Sequence, residues 1–268
     1  MSAVKLGPLR LHAPVMAAAG AGGFGPPPAG AADQLPPLGA VVTPGLAHRT
    51  RRGRAPRLVE TVAGAVYHPG TAQLGVAEAV RRYARAWATS PSPVIVNLQA
   101  TVGAEFPAAA AELEGVPGVA ALELNLASVE DATGLPFAHQ PALVRQLIGA
   151  VRRSCAHPIL AKLPTDTPAL TASLDACAAA GAVAVTLGAG LSLAEGYLVG
   201  PATFPIVVAL VAGIAGEAPL PIIAAGGVGS AAHARRYLEA GAAAVQVGSA
   251  CLADPLAAYR ILEDALTP

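Results

Sequence analysis

Eight short apolar runs, bounded by Gly, Pro or Asn, recur along the 268 residues and leave few folds open. They are Val15–Ala18, Ala40–Thr43, Val94–Asn97, Ala121–Asn125, Ile159–Lys162, Val183–Leu187, Pro221–Ala225 and Ala243–Val247. Each is nearly continuous rather than alternating, the pattern of parallel strands covered on both faces. Helical patterns fill most of the gaps: Val76–Ala88, Pro107–Leu113, Pro141–Ser154, Thr167–Ala180, Phe204–Ala215, Ala231–Ala240 and Pro255–Ala265. Gly181 and Gly241 sit just past two of these, where C-cap glycines belong. Strand and helix in repeated alternation predict a parallel sheet, and eight rounds favour closure. The expected fold class is α/β, a (β/α)8 TIM barrel preceded by an N-terminal β-hairpin in Leu6-Gly7-Pro8-Leu9-Arg10-Leu11. Such a barrel takes roughly 250 residues, and no linker or composition shift divides the chain, so residues 1–268 read as a single domain.

Composition narrows the function classes. Hydrophobic residues make up 54% and charged residues 13%, enough for a large core and too little charge for a disordered chain. Net charge is zero, which favours neither nucleic acid nor an anionic membrane surface. Cys155, Cys177 and Cys251 lie far apart with no CxxC spacing. That spacing argues against a metal site or a disulfide framework and fits a reducing compartment. No signal peptide is read at Met1–Lys5, and a cytoplasmic protein is expected. The stretch from Gly196 to Ala232 holds one charge, Glu217, but Pro201, Pro205, Pro219 and Pro221 break it too often for a membrane span.

The last two apolar runs end in small residues, Gly226-Gly227 and Gly248-Ser249, each leading into a helical pattern. Glycines there let the backbone turn sharply and bare its N–H groups to an anion. On the last two strands of an eight-fold barrel, such turns form a phosphate grip, and the ligand site lies at the strands' C-terminal ends. Several other strands end in polar side chains at that same end: Thr43, Asn97 with Gln99, Asn125 and Lys162. An ammonium on an otherwise apolar strand needs an acceptor, and the anionic edge of a ligand is a natural one.

In their order and spacing, these motifs resemble the dihydroorotate dehydrogenase family, FMN enzymes on a TIM barrel. Leu9-Arg10-Leu11 with Pro14-Val15-Met16-Ala17-Ala18-Ala19-Gly20 resembles the family's opening hairpin and first strand. Gly39–Thr43 with Pro56–Thr61 resembles its second strand and following loop. Val94–Asn97, Leu122–Asn125 and Ala161-Lys162-Leu163 continue in family order, and Gly200-Pro201-Ala202, Gly226-Gly227 and Gly248-Ser249 match its FMN phosphate segments. The resemblance implies that Ala18, Ala19 and Gly20 present backbone to the flavin. It places Thr43, Asn97 and Asn125 at the ring or substrate, and Lys162 at the ring's N1/O2 edge, a position that tunes a flavin. Gly200, Gly226, Gly227, Gly248 and Ser249 would hold the phosphate. No metal is implied, and the family's soluble branch associates as dimers, so a homodimer acting on a small molecule is expected.

The departures concern the substrate half. The family has Thr-Lys after the second strand where this chain has Thr43-Pro44. Its Asn-x-Ser-Cys/Ser-Pro-Asn is here Asn125-Leu126-Ala127-Ser128-Val129-Glu130, which keeps Ser128 at the base position and loses the Pro-Asn. Its loop asparagine is replaced by Tyr67, and an asparagine is missing from Thr186–Gly190. Ser128, with Lys162, is therefore the expected catalytic pair, and Tyr67, His68 and Glu130, read in adjacent loops, are substrate candidates. A polar pyrimidine carboxylate would lose several partners in such a site. The sequence reading is accordingly an FMN-dependent oxidoreductase moving a hydride between a C–C/C=C bond and flavin N5, with a substrate other than orotate. Dihydroorotate oxidation is the alternative, and a non-catalytic FMN-binding homologue or partner subunit is the alternative of another class.

Overall fold

The computed structural model describes residues 3–25, 35–129, 131–188 and 190–266. Strands β1 (Val4–Leu6) and β2 (Leu9–Leu11) form the N-terminal hairpin, followed by β3 (Val15–Ala17) and β4 (Val41–Val42). The chain then leaves for a second hairpin, β5 (Arg57–Thr61) and β6 (Gly64–His68), and returns through α1 (Val76–Ala88) to β7 (Val94–Leu98). Next come α2 (Glu105–Ala111) with β8 (Val119–Asn125), α3 (Pro141–Ser154) with β9 (Ile159–Leu163), and α4 (Leu170–Ala180) with β10 (Ala184–Leu187). A further excursion, β11 (Leu191–Ser192) and β12 (Tyr197–Val199), precedes α5 (Phe204–Ile214) and β13 (Ile222–Ala225). The remaining elements are α6 (Ala231–Glu239), β14 (Ala244–Val247), α7 (Ala250–Ala253) and α8 (Ala257–Leu266).

Strands β3, β4, β7, β8, β9, β10, β13 and β14 pair in parallel and close into a barrel, the eight that the apolar runs predict. Helices α1 and α3 keep their expected bounds, while others shift for local reasons. Helix α2 starts early, at Glu105, whose carboxylate accepts the Thr101 N–H at 3.0 Å and so ties the entering loop to the start of the helix. Helix α4 starts late because Pro168 disfavours helical backbone at Thr167, whose hydroxyl instead donates to Pro164 O at 2.9 Å. The expected last helix is preceded by a separate short one, α7, broken off before Asp254.

Strand pleating sorts side chains into two environments. Outward-facing residues such as Val15, Val96, Leu122, Leu124, Val185 and Val247 join the helices in the main core. Inward-facing Met16, Ile95, Ala121, Leu160, Ala184, Ile223 and Ala244 form a second, smaller core inside the barrel, with Leu6, Leu9 and Leu11 of the hairpin packed into it. The hairpin is thus a plug. Its turn glycine, Gly7 at φ +57°, sits so close to Val183 that an added Cβ would come within 3.1 Å of it.

Two residues further along the same strands the interior turns polar. Asn97, Glu123, Lys162, Thr186 and Gln246 are all buried there. Beyond them lies a four-stranded antiparallel sheet in the order β11-β12-β6-β5, built from the two excursions. The sequence reading took Tyr67 and His68 for loop residues. They are strand residues of β6, because the 57–61 and 64–68 segments pair with each other and β6 pairs with β12. An alternating, half-exposed hairpin lacks the continuous apolar signal of the barrel strands, so it reads as loop.

Candidate active site

A cavity of 460 Å³ opens at the C-terminal ends of the barrel strands, under the antiparallel sheet. Thirteen of the expected site residues line it, from strands far apart in the chain. Ala18, Ala19 and Gly20 enter from the end of β3. The Ala18 and Gly20 amides already donate to Val247 O (2.9 Å) and Val42 O (3.2 Å), which leaves Ala19 N–H to face a ligand.

Gly200, Gly226, Gly227, Gly248 and Ser249 line one side. Glycine is obligatory at Gly227: φ is +61°, and an added Cβ would come within 2.7 Å of Gly200 O and 2.8 Å of Phe204 N. The turn is held from behind. Tyr237 donates its hydroxyl to Gly226 O at 2.7 Å, and the His233 ring stacks on Phe204 with centroids 4.0 Å apart. Burial pushes the Tyr237 phenol well above its ordinary range, so it stays a donor.

The opposite side is polar and largely unsatisfied. Asn125 Oδ1 and Ser128 Oγ are buried and have no hydrogen-bond partner among the described residues. Lys162, on β9 in register with Asn125, is 9% exposed and makes no ion pair among the described residues. Buried polar groups in folded proteins are nearly always paired. Three unpaired ones facing one cavity mark the place of a polar ligand.

Tyr67 also lines the cavity, and directly across the sheet from it lies Tyr197 of β12, a residue the sequence reading missed. Burial raises both phenol pKa values, and Asp166 adds repulsion at Tyr197. Both remain protonated donors across the physiological range.

Two proposed residues lie elsewhere. Thr43 does not line the cavity: its hydroxyl donates to Pro44 O at 3.0 Å and accepts the Asn97 N–H at 3.1 Å, so it braces two barrel strands. His68 is turned away, with Nε2 3.4 Å from an Arg57 guanidinium nitrogen. Glu130 lies outside the described residues.

The sequence reading also passed over Glu123 and Gln246. Glu123 is fully buried and accepts from Asn97 Nδ2, Thr186 Oγ1 and Gln246 Nε2, each at 2.7 Å. A signal was available. Both residues interrupt apolar strands at the inward phase already occupied by Asn97 and Lys162.

Among known proteins, the family model described as dihydroorotate dehydrogenase matches residues 1–266. The catalytic subunit of dihydroorotate dehydrogenase B (NAD(+)) from Geotalea daltonii is 34% identical over 275 residues, covering 96% of this chain and 90% of that protein. The protein of the same name from Desulforudis audaxviator is 36% identical over 280 residues, covering 98% and 91%. A crystal structure of the Eimeria tenella dihydroorotate dehydrogenase with ferulenol superposes with a TM-score of 0.83 at 17% identity, covering 99% of this chain and 83% of that one. At that identity the superposition speaks for the fold.

Proposed function

The chain belongs to the dihydroorotate dehydrogenase family, and from that premise we propose that it binds FMN and oxidises dihydroorotate, as the catalytic subunit of an NAD(+)-linked enzyme. It is an oxidoreductase acting on CH–CH bonds. The proposal for the substrate is carried by 34–36% identity, over nearly the whole chain, to subunits named for that reaction. The dimer and the cytoplasmic location expected from sequence belong to the same proposal, and sedimentation of the purified protein checks the dimer.

The cavity suits FMN on two counts. Gly200 and Gly227, which no larger residue could replace, line one side, as a phosphate requires, and the unpaired ammonium of Lys162 suits a ligand that gathers negative charge. When bound, FMN supplies a hydride acceptor at ring nitrogen N5. Gly200, Gly226, Gly227, Gly248 and Ser249 would hold the phosphate, with Ala19 N–H and the Asn97 and Asn125 amides around the ring and substrate. Lys162 holds positive charge beside the ring. Ser128 Oγ is the group that receives a proton from the substrate carbon, and it relays rather than keeps that proton because a serine hydroxyl is a weak base. Tyr67 and Tyr197 close the cavity over the substrate.

A second reading, oxidation of a different CH–CH substrate, is favoured by Pro44 and Tyr67, which stand where the family has a lysine and an asparagine. Anaerobic mixing of the FMN-loaded protein with millimolar dihydroorotate separates the two. Rapid bleaching of the flavin band is the expected result. Bleaching by dithionite alone would move the case to the second reading, and a protein that takes up no FMN would overturn both.

A further inference from the structure

Four strands of the barrel meet at one carboxylate. Glu123 of β8 receives Asn97 from β7, Thr186 from β10 and Gln246 from β14, all at 2.7 Å and all 1% exposed or less. A carboxylate only accepts hydrogen bonds. Asn97 and Gln246 must therefore turn their NH₂ groups inward to it, and a flip of either amide would set oxygen against oxygen at that distance. The opposite end of each amide is fixed by the same constraint. Gln246 Oε1 is buried with no partner among the described residues, and Gln246 lines the cavity. Asn97 also lines the cavity, with Oδ1 on the side of Gly45, another lining residue.

We propose that Glu123 is a positioning residue: it locks the Asn97 and Gln246 amides with their carbonyl oxygens toward the ligand, so the cavity floor selects a ligand edge that carries N–H donors. That the ligand is FMN rests on the function proposed above; the amide geometry does not. The demand is specific in sign. A ligand presenting carbonyl oxygens alone to the floor would leave two buried acceptors unpaired, and a ring N–H satisfies one. Glu123 itself touches no ligand. It acts only through the two amides.

Glu123→Gln tests this, because its new NH₂ must face one of the amides and turn it over. FMN titrated into ligand-free protein should bind on the order of tenfold more weakly to E123Q, the loss of about one hydrogen bond. Thr186→Val is the contrast: it removes a third donor to the same carboxylate, lowers Tm, and should leave FMN affinity within about twofold, since both amides keep their orientation. Equal affinity in E123Q and wild type, or equal weakening in both variants, overturns the proposal. Side-chain NH₂ resonances of Asn97 and Gln246 in ligand-free protein supply a readout without FMN. Both should exchange slowly in wild type and T186V, and one should lose protection in E123Q; fast exchange in wild type overturns the proposal. If wild type takes up no FMN, the functional reading fails and these resonances alone decide the inference. If E123Q does not fold, Gln246→Leu removes one floor acceptor, and unchanged FMN affinity there also overturns it.

Discussion

A buried ammonium without a counter-charge destabilises a fold unless a ligand supplies one. Lys162 is in that position, and its retention makes sense through the ligand rather than through the core. Lys162→Met should therefore keep the protein folded, with a Tm no lower than wild type in the absence of ligand. With FMN bound, the midpoint potential should fall by roughly 30–65 mV, the equivalent of one charged hydrogen bond of about 1.5–3 kcal/mol. An unchanged potential would place the ammonium away from the ring. Asn97, Asn125 and Lys162 were legible in the sequence because they end apolar strands, and Ser128 because it keeps its place in the family motif. Glu123 and Gln246 showed only as polar interruptions of apolar strands, because one strand read alone gives no hint that its polar residue meets three others at the barrel axis.

At the scale of elements, the antiparallel sheet turns an open barrel end into a cavity. Its two central strands place Tyr67 and Tyr197 side by side over the site, and neither phenol oxygen has a hydrogen-bond partner among the described residues. Because burial keeps both phenols protonated, they offer two donors to a substrate carboxylate or carbonyl. Tyr67→Phe and Tyr197→Phe should each leave FMN content unchanged and raise KM about tenfold, the loss of one hydrogen bond. A fall in kcat with KM unchanged would assign the phenols to the chemical step instead. Nothing in the sequence joined residue 67 to residue 197. Their pairing depends on two excursions from the barrel meeting above it, with Gly64 and Gly200 approaching so closely that an added Cβ at Gly200 would lie 2.7 Å from Gly64 Cα.

For the molecule as a whole, buried ionisable groups set the alkaline limit of stability. Burial pushes the Cys177 thiol up from 9.0 to about 12. Burial, and then nearby Cys251, pushes the Tyr259 phenol up from 10.0 to about 12. Both stay neutral in the folded protein over a range where the unfolded chain has already lost these protons. Their contribution is thus complete below pH 9 and lost as pH rises from there toward 12. Urea unfolding should give a flat stability from pH 7 to about 9 and a decline above it, and Cys177→Ala should remove the part of the decline that begins near pH 9. A decline of the same onset in that variant would assign it to other groups. The sequence by itself determined the barrel, because eight continuous apolar runs alternating with amphipathic helices bury their surface in few other ways. It also determined the glycine side of the site, since at Gly227 only glycine permits the turn. The tertiary structure alone decided the polar floor and the tyrosine cover. A hydrogen bond between β8 and β14, or a pairing between β6 and β12, joins residues more than a hundred positions apart, and local pattern carries no information about which distant strand will be the neighbour.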